Sequence, residues 1–291
     1  MIASWVAQEL WGGFADLLFP PQCAWCQVPT RRHQRLCLAC RHRFVSNYYR
    51  CRKCASPLPS VLPNADCVRC RAGKWRFSGV VTLAPYRGQM RQAVIMMKRK
   101  RFEPLRRALA ELLAEKLLQE CATWKQPPST QLLTSQVSAI QDLATPIAAP
   151  QAAAAPEETP ASSCHLPILV PVPYHWSHGF SSAADTASVL ARGIAEHTDW
   201  PLVTGAVRRQ RKTAKQGILS WSDRTSNVKR AFAMRAPQLV EGRHVLLVDD
   251  VLTSGATAAE LTRLLLSAGA LQVIVVVAAR GTGVRESRSV E

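Results

Sequence analysis

The chain has 291 residues, of which 47% are apolar and 20% charged, with 37 Lys and Arg against 20 Asp and Glu. That length holds one mid-sized domain plus a smaller one, and the apolar fraction excludes a disordered or fibrous chain. A formal net charge of +17 calls for an anionic partner (nucleotide, nucleic acid or acidic surface), and no apolar run approaches the roughly 20 residues that span a membrane.

In chain order, residues 1–22 come first. "MIASWVAQELWGGFADLLF" lacks a basic leader region and carries Glu9 and Asp16. Ile2, Trp5, Val6, Leu10, Phe14 and Leu17 recur at helical spacing, which predicts an amphipathic helix packing on its own protein rather than a signal peptide. The expected location is therefore the cytoplasm, with no membrane span.

Residues 23–76 hold eight of the ten cysteines, as four C-x-x-C pairs: Cys23/Cys26, Cys37/Cys40, Cys51/Cys54 and Cys67/Cys70. Two thiolates on one tight turn can grip the same tetrahedral ion, so in a reducing compartment this spacing predicts metal rather than disulfides. Eight ligands make two structural Cys₄ zinc sites, and their pairing is open between sequential and interleaved. A segment this short can hardly build its own core, so zinc replaces one. Cys121 and Cys164 lie outside the pattern. The module is also basic, with ten Arg and two Lys against Asp66 alone. Its net charge stays near +7, about, once two sites of formal charge −2 are counted. Trp25, Phe44, Tyr48, Tyr49, Trp75 and Phe77 are interleaved with these cations, the combination that single-strand binders use. A solvated basic surface with aromatics filling a small module is the plainer alternative.

Residues 77–291 read as one α/β domain. "GVVTLAPY" (79–86) is a strand, and two helices follow, broken near Phe102-Glu103-Pro104. The second helix places Leu105, Leu109, Leu112, Leu113 and Leu117 on one face. Residues 125–163 are rich in Pro, Ala, Ser, Thr and Gln, and predict a disordered insertion within the domain. A strand in "LPILVPVPY" (166–174), a helix in "DTASVLARGIAEH" and a buried strand in "QVIVVVAAR" (272–280) complete the alternation. Alternating strands and helices predict a parallel sheet with helices on both faces.

The most informative stretch is "HVLLVDDVLTSGATAAELTRLLLSAGA" (244–270). Val245 to Val248 read as a strand buried on both faces, and the leucines from Ala258 onward as a helix stopped by Gly269. Ligands in such units sit where the strand's carboxyl end meets the helix start. There Gly255 and Ala256 let the backbone approach an anion, while Thr253, Ser254 and Thr257 add hydroxyl donors. Asp249 and Asp250 would repel a phosphate, so they serve ribose hydroxyls, with or without Mg²⁺. An ordinary helix after a buried strand can show the short DD-x-x-[ST]-x-G pattern; the full run "VLLVDDVLTSGAT" is far more specific. It resembles the phosphoribosyl pyrophosphate (PRPP) motif of type I phosphoribosyltransferases, which holds the 5′-phosphate and ribose hydroxyls in this way.

Further segments extend the resemblance over nearly the whole chain apart from 125–163. They are "APYRGQMRQAVIMMKRKR" through Tyr86, Met90 and Lys98, and "ILVPVPYHWSHGF" through Val170, Pro171, Val172, Pro173, Gly179 and Phe180. "RRQRKTAKQGILSWSDRTSNVKRAF" adds Arg209, Thr213, Gln216, Leu219, Arg224, Asn227 and Phe232. With the cysteine pairs ahead of the domain, the chain resembles the ComF family of phosphoribosyltransferase-like competence proteins, in its GntX branch of DNA utilisation. The resemblance implies a type I phosphoribosyltransferase fold behind a zinc module, acting in DNA uptake, transformation or use of external DNA. The family's R-G-F-N-Q stands here as His178-Gly179-Phe180-Ser181-Ser182, without the arginine that would grip pyrophosphate in bidentate fashion. Binding of PRPP or ribose 5-phosphate is thus expected ahead of turnover.

Two classes of function follow. One is a protein that holds ribose phosphate and single-stranded DNA, the latter on Lys98, Arg99, Lys100 and Arg101 and on Arg208, Arg209, Arg211, Lys212 and Lys215. Either basic run can equally be a solvated face. The other is an active phosphoribosyltransferase of nucleotide salvage, with Asp249 and Asp250 as its catalytic pair, orienting the sugar as pyrophosphate leaves. A weaker third reading is a scaffold that docks a DNA translocase; the chain has no G-x-x-x-x-G-K-[ST] loop and is not itself the motor.

Overall fold

The computed structural model describes residues 20–59, 65–73, 75–124, 166–173, 185–211 and 227–281, with backbone alone for 121–124. Most of the expected N-terminal helix, the insertion at 125–163 and the segment around His178 lie outside the described residues. The cysteine region contributes the short helices α1 (Leu38–Phe44) and α2 (Val68–Arg71). Then follow β1 (Gly79–Pro85), α3 (Gly88–Met97), α4 (Glu103–Trp124), β2 (Ile168–Pro171) and α5 (Thr186–Thr198). The chain continues through β3 (Val207–Arg209), β4 (Phe232–Met234), β5 (His244–Leu252), α6 (Ala256–Ser267) and β6 (Gln272–Arg280).

Four strands form a parallel sheet in the order β1-β6-β5-β2, and β3 pairs antiparallel with β4 beside it. Because side chains alternate along a strand, each continuously apolar strand feeds two cores. Leu246, Val248, Ile274, Val276 and Ala278 face one layer, which is filled by α3, α4 and α5. Val245, Leu247, Val273, Val275 and Val277 face the other, with Leu261 and Leu265 of α6 and Phe232 of β4. The leucine face expected of α4 is buried in the first layer. There α4 and α5 approach so closely that a Cβ on Gly193 would lie 2.6 Å from the Ala110 Cβ. Asp185 caps α5 by accepting the Ser188 N–H at 3.2 Å, and Asp199 closes it in the left-handed region at φ 55°. The antiparallel β3–β4 pair has no counterpart in the sequence reading. Three-residue strands are too short to show a period.

The cysteine module does not stand apart from the α/β layers. Cys23, Leu36, Cys40 and Phe44 belong to the first core, and Cys51, Cys54, Ala55, Cys70 and Phe77 to the second. The module therefore straddles the free edge of β1, with one cluster on each face of the sheet. Its connecting segment closes that edge: the Ser46 N–H donates to the Leu83 carbonyl at 3.1 Å. Lys116 Nζ donates to the neighbouring Thr82 carbonyl at 2.7 Å. Metal alone is thus not the module's only core, since it borrows apolar surface from both layers. Its arginines serve this docking too. Arg41 lies 3.5 Å from Glu111 and 2.5 Å from Glu115, and Arg50 lies 2.8 Å from Glu120, all three acids being on α4.

Candidate functional site

β5 outruns its neighbour on one side. Its pairing with β2 ends at Pro171↔Val248, and the next two residues are the acids. Asp249 and Asp250 therefore stand at the carboxyl edge of the sheet, where such sheets bind ligands. The Asp250 N–H donates to Asp249 Oδ1 at 2.8 Å. Lys98, just past the end of α3, places its Nζ 3.2 Å from Asp250 Oδ2. Its ammonium is pulled down by burial, but Asp250 and then Asp249 outweigh this and hold it above its ordinary value. Asp249 is the opposite case. Desolvation and the neighbouring Asp250 charge push its carboxyl well above the ordinary 3.8, and Lys98 offsets this only in part.

A raised acid favours its protonated form in the fold. Its contribution to stability is full below the unfolded value near 3.8 and is lost as pH rises through the folded value. Asp249→Asn removes that penalty and keeps the oxygen that accepts the Asp250 N–H. We expect the variant to gain about 0.5–2 kcal/mol at neutral pH. The gain should vanish below about pH 3, under both the unfolded and the folded value, where both states are protonated. Denaturant titrations at the two pH values check this.

The loop after β5 turns at Gly255, whose φ of +76° opens α6 as its N-cap without a side-chain hydrogen bond. The first-turn N–H groups of a helix have no intrahelical acceptor, so this end of α6 presents donors to an anion. Ser254 is buried, and its Oγ accepts the Ala256 N–H at 3.4 Å. Thr253 and Thr257 are half-buried. The indole of Trp75, from the cysteine module, lies against this loop. A Cβ on Gly255 would come 2.8 Å from the Trp75 Cη2 and Cζ3 atoms. Arg280, at the end of β6, is 2% exposed and supports the loop from beneath. Its Nη1 donates to the carbonyls of Leu252 at 2.7 Å and Thr253 at 2.8 Å, and to that of Gly281. Nε donates to the Cys54 carbonyl at 2.7 Å.

The cysteines resolve into sequential sets, Cys23/Cys26/Cys37/Cys40 and Cys51/Cys54/Cys67/Cys70, with each set's sulfurs all within 4.8 Å of one another. Cys26–Cys37 and Cys54–Cys67 Sγ pairs are 3.6 Å apart. A tetrahedron with Zn–S bonds of about 2.3 Å has edges of about 3.8 Å, so both sets fit the ion. Gln27 and Ala55 each follow a second cysteine in the left-handed region, at φ 62° and 52°, which gives the two sets the same turn. Burial pushes Cys23 and Cys51 up, but surrounding backbone N–H groups outweigh it and bring them to about 6 and about 7.

The other residues singled out in the sequence fall on several elements. Arg99, Lys100 and Arg101 are exposed on a short 3₁₀ turn. Buried Arg106 pins that turn, donating to the carbonyls of Met97 at 2.8 Å, Arg99 at 3.1 Å and Lys100 at 3.2 Å. Arg209 lies 5.0 Å over the Phe232 ring. Arg211 donates to the Asn227 carbonyl at 2.8 Å and to that of Lys229 at 3.1 Å. Lys212 and Lys215 lie outside the described residues. Among the expected stacking aromatics, Tyr49 is 52% exposed. Tyr48 donates to the Ala55 carbonyl at 2.9 Å, and Trp75 is taken up by the loop. Sequence reading missed the Lys98–Asp250 pair, Arg280 and the Trp75–Gly255 contact. The signal for one was present: an arginine ending an otherwise apolar buried strand needs acceptors nearby.

The chain matches a double zinc ribbon domain over residues 14–72 and a phosphoribosyl transferase domain over residues 177–289. It is 28% identical over 265 residues to the DNA utilization protein YhgH of Escherichia coli (strain K12), covering 89% of this chain and 96% of that protein. It is 34% identical over 112 residues to Competence protein F of Haemophilus influenzae, covering 37% of this chain and 47% of that protein. A hypoxanthine phosphoribosyl transferase of Trypanosoma cruzi aligns over 65% of this chain and 72% of its own at 14% identity, with a TM-score of 0.34. No helix among the described residues is long and apolar enough to cross a membrane.

Proposed function

We propose that this chain, a homologue of the DNA utilization protein YhgH and of Competence protein F that joins a double zinc ribbon to a phosphoribosyltransferase domain, works in DNA utilisation by holding a ribose phosphate and single-stranded DNA. The observation that carries this reading is the meeting of two carboxylates and a glycine-led helix start at the carboxyl edge of the sheet. The loop Thr253 to Thr257 takes the 5′-phosphate through N–H and hydroxyl donors. Asp249 and Asp250 accept the ribose hydroxyls, and Lys98 holds Asp250 ready for them. Mg²⁺ accompanying PRPP would supply charge to offset the pyrophosphate and the acids. The acid pair also favours a second reading, transfer of the phosphoribosyl group from PRPP to a base. Pyrophosphate release measured against a panel of bases separates the two.

For the DNA, exposed Arg99, Lys100 and Arg101, next in sequence to Lys98, supply phosphate contacts, with Arg208, Arg209 and Arg211 at and just after β3 and with Lys212. Among the described residues, Tyr49 is the aromatic face most exposed to a base. Affinity for single-stranded DNA should fall by about 0.7 log units per phosphate contact for each tenfold rise in salt. Tyr49→Ala should remove a salt-insensitive part of about 1–3 kcal/mol. Heparin of matched charge is the control, measured by fluorescence anisotropy at physiological salt. Equal affinity for heparin and DNA, with no effect of Tyr49→Ala, would leave only a basic surface.

A further inference from the structure

The geometry points to the second zinc ribbon as a wall of the proposed ribose-phosphate pocket, with Arg280 and Trp75 as the positioning residues through which it holds the loop Leu252–Gly255. This deepens the reading above and rests on it for the pocket's ligand, while the mechanical link can be tested without one.

Arg280 carries a buried charge with no carboxylate partner among the bonds that hold it. Its acceptors are carbonyls from two separate places: Leu252 and Thr253 in the loop, and Cys54 in the ribbon at 2.7 Å. A further contact runs from Nη2 to the Cys54 sulfur itself, at 3.9 Å. Four thiolates around one zinc ion leave a formal charge of −2, so the filled ribbon site provides the countercharge that a buried guanidinium requires. Only the planar, five-donor guanidinium spans both sets of acceptors at once. Trp75 makes the second link. It follows the ribbon's last cysteine pair in sequence, stacks on Phe77 with ring centroids 5.5 Å apart, and its edge lies over Gly255. The ribbon therefore touches the loop from two sides. The first cluster, on the other face of the sheet, has no such contact with the loop in the described residues. Emptying the second zinc site removes the countercharge for Arg280 and the frame of Trp75, and the loop loses its fixed shape.

Backbone hydrogen exchange of residues 252–257, read on the full chain together with zinc content, tests this. Cys67→Ser should lose one zinc ion and speed exchange in the loop by about tenfold or more. Cys26→Ser should lose the other ion and leave the loop's exchange unchanged. Arg280→Met should keep both ions yet exchange as fast in the loop as Cys67→Ser, and combining the two should add nothing further. If Arg280→Met fails to fold, Arg280→Lys, which keeps the charge and loses the fork, should speed exchange by a smaller factor. Equal loop protection in wild type and Cys67→Ser, or equal effects of the two cysteine variants, would overturn the inference. Ribose 5-phosphate titrated into the wild-type chain is the separate arm. Absence of binding there strikes the ligand assigned to the pocket, while the exchange contrast alone decides the link between ribbon and loop.

Discussion

The purified, reduced chain should contain close to two zinc ions, and stripping them should cost stability well beyond the ribbons themselves. Structural zinc in small finger peptides binds with an apparent free energy of about 10–16 kcal/mol, comparable to the whole stability of an ordinary domain. Without metal, the four sulfurs of each set, all within 4.8 Å of one another, lose the ion that holds them together. A separable module would unfold alone and leave the α/β domain largely folded. The shared cores argue otherwise. Leu36 and Phe44 pack in the layer of α4 and α5, and Phe77 and Ala55 in the layer of α6. Large apolar side chains lost from a core cost about 1.5–3 kcal/mol each. The remaining domain should therefore lose several kcal/mol, lowering its Tm by about 10 °C or more. Elemental analysis with calorimetry before and after chelation checks both halves. A zinc-free native chain would refute the metal sites, and an unchanged Tm after chelation would refute the shared core.

Gly255→Ala should be the most damaging single methyl group in the pocket. At φ +76° a Cβ costs about 1–2 kcal/mol from the backbone alone. The same Cβ would press within 2.8 Å of the Trp75 ring, and overpacking of that kind costs about 1–3 kcal/mol more. Together these predict a loss of roughly 2–5 kcal/mol in denaturant titration. Trp75→Leu should remove the steric part but not the backbone part, so the pair should show a coupling energy in a double-mutant cycle. Strict additivity would mean that indole and loop do not touch in solution.

The parts of this molecule that follow from local pattern were legible, and those that follow from long-range packing were not. β6 spans the same residues, 272–280, that its apolar run predicts, because a strand buried on both faces has no polar interruption. The break between α3 and α4 falls where a basic run meets Pro104, a residue that suits a helix's first turn. The acids and loop of 249–257 could be read as one unit because strand, turn and helix are contiguous. Sequential pairing of the cysteines could not be read, since four C-x-x-C pairs satisfy either arrangement chemically. Nor could the position of the module across the β1 edge. That depends on Arg41 and Arg50 finding Glu111, Glu115 and Glu120, residues some seventy positions away, at about the limit of what a charge pattern can suggest. The same holds for Arg280, whose acceptor Cys54 is 226 residues distant.

Calorimetric titration tests whether Asp249, Asp250 and the loop Thr253 to Thr257 form a ribose-phosphate pocket. Magnesium-PRPP and ribose 5-phosphate should each bind the wild-type chain at a single site. Asp249→Ala combined with Asp250→Ala should weaken that binding by about 1–3 kcal/mol, through loss of two charge-assisted hydrogen bonds to the sugar. The double variant should keep both zinc ions, since neither acid belongs to the two cysteine sets, and circular dichroism checks that it keeps its fold. Affinity unchanged by the double substitution, or no heat of binding to the wild-type chain, would contradict the pocket.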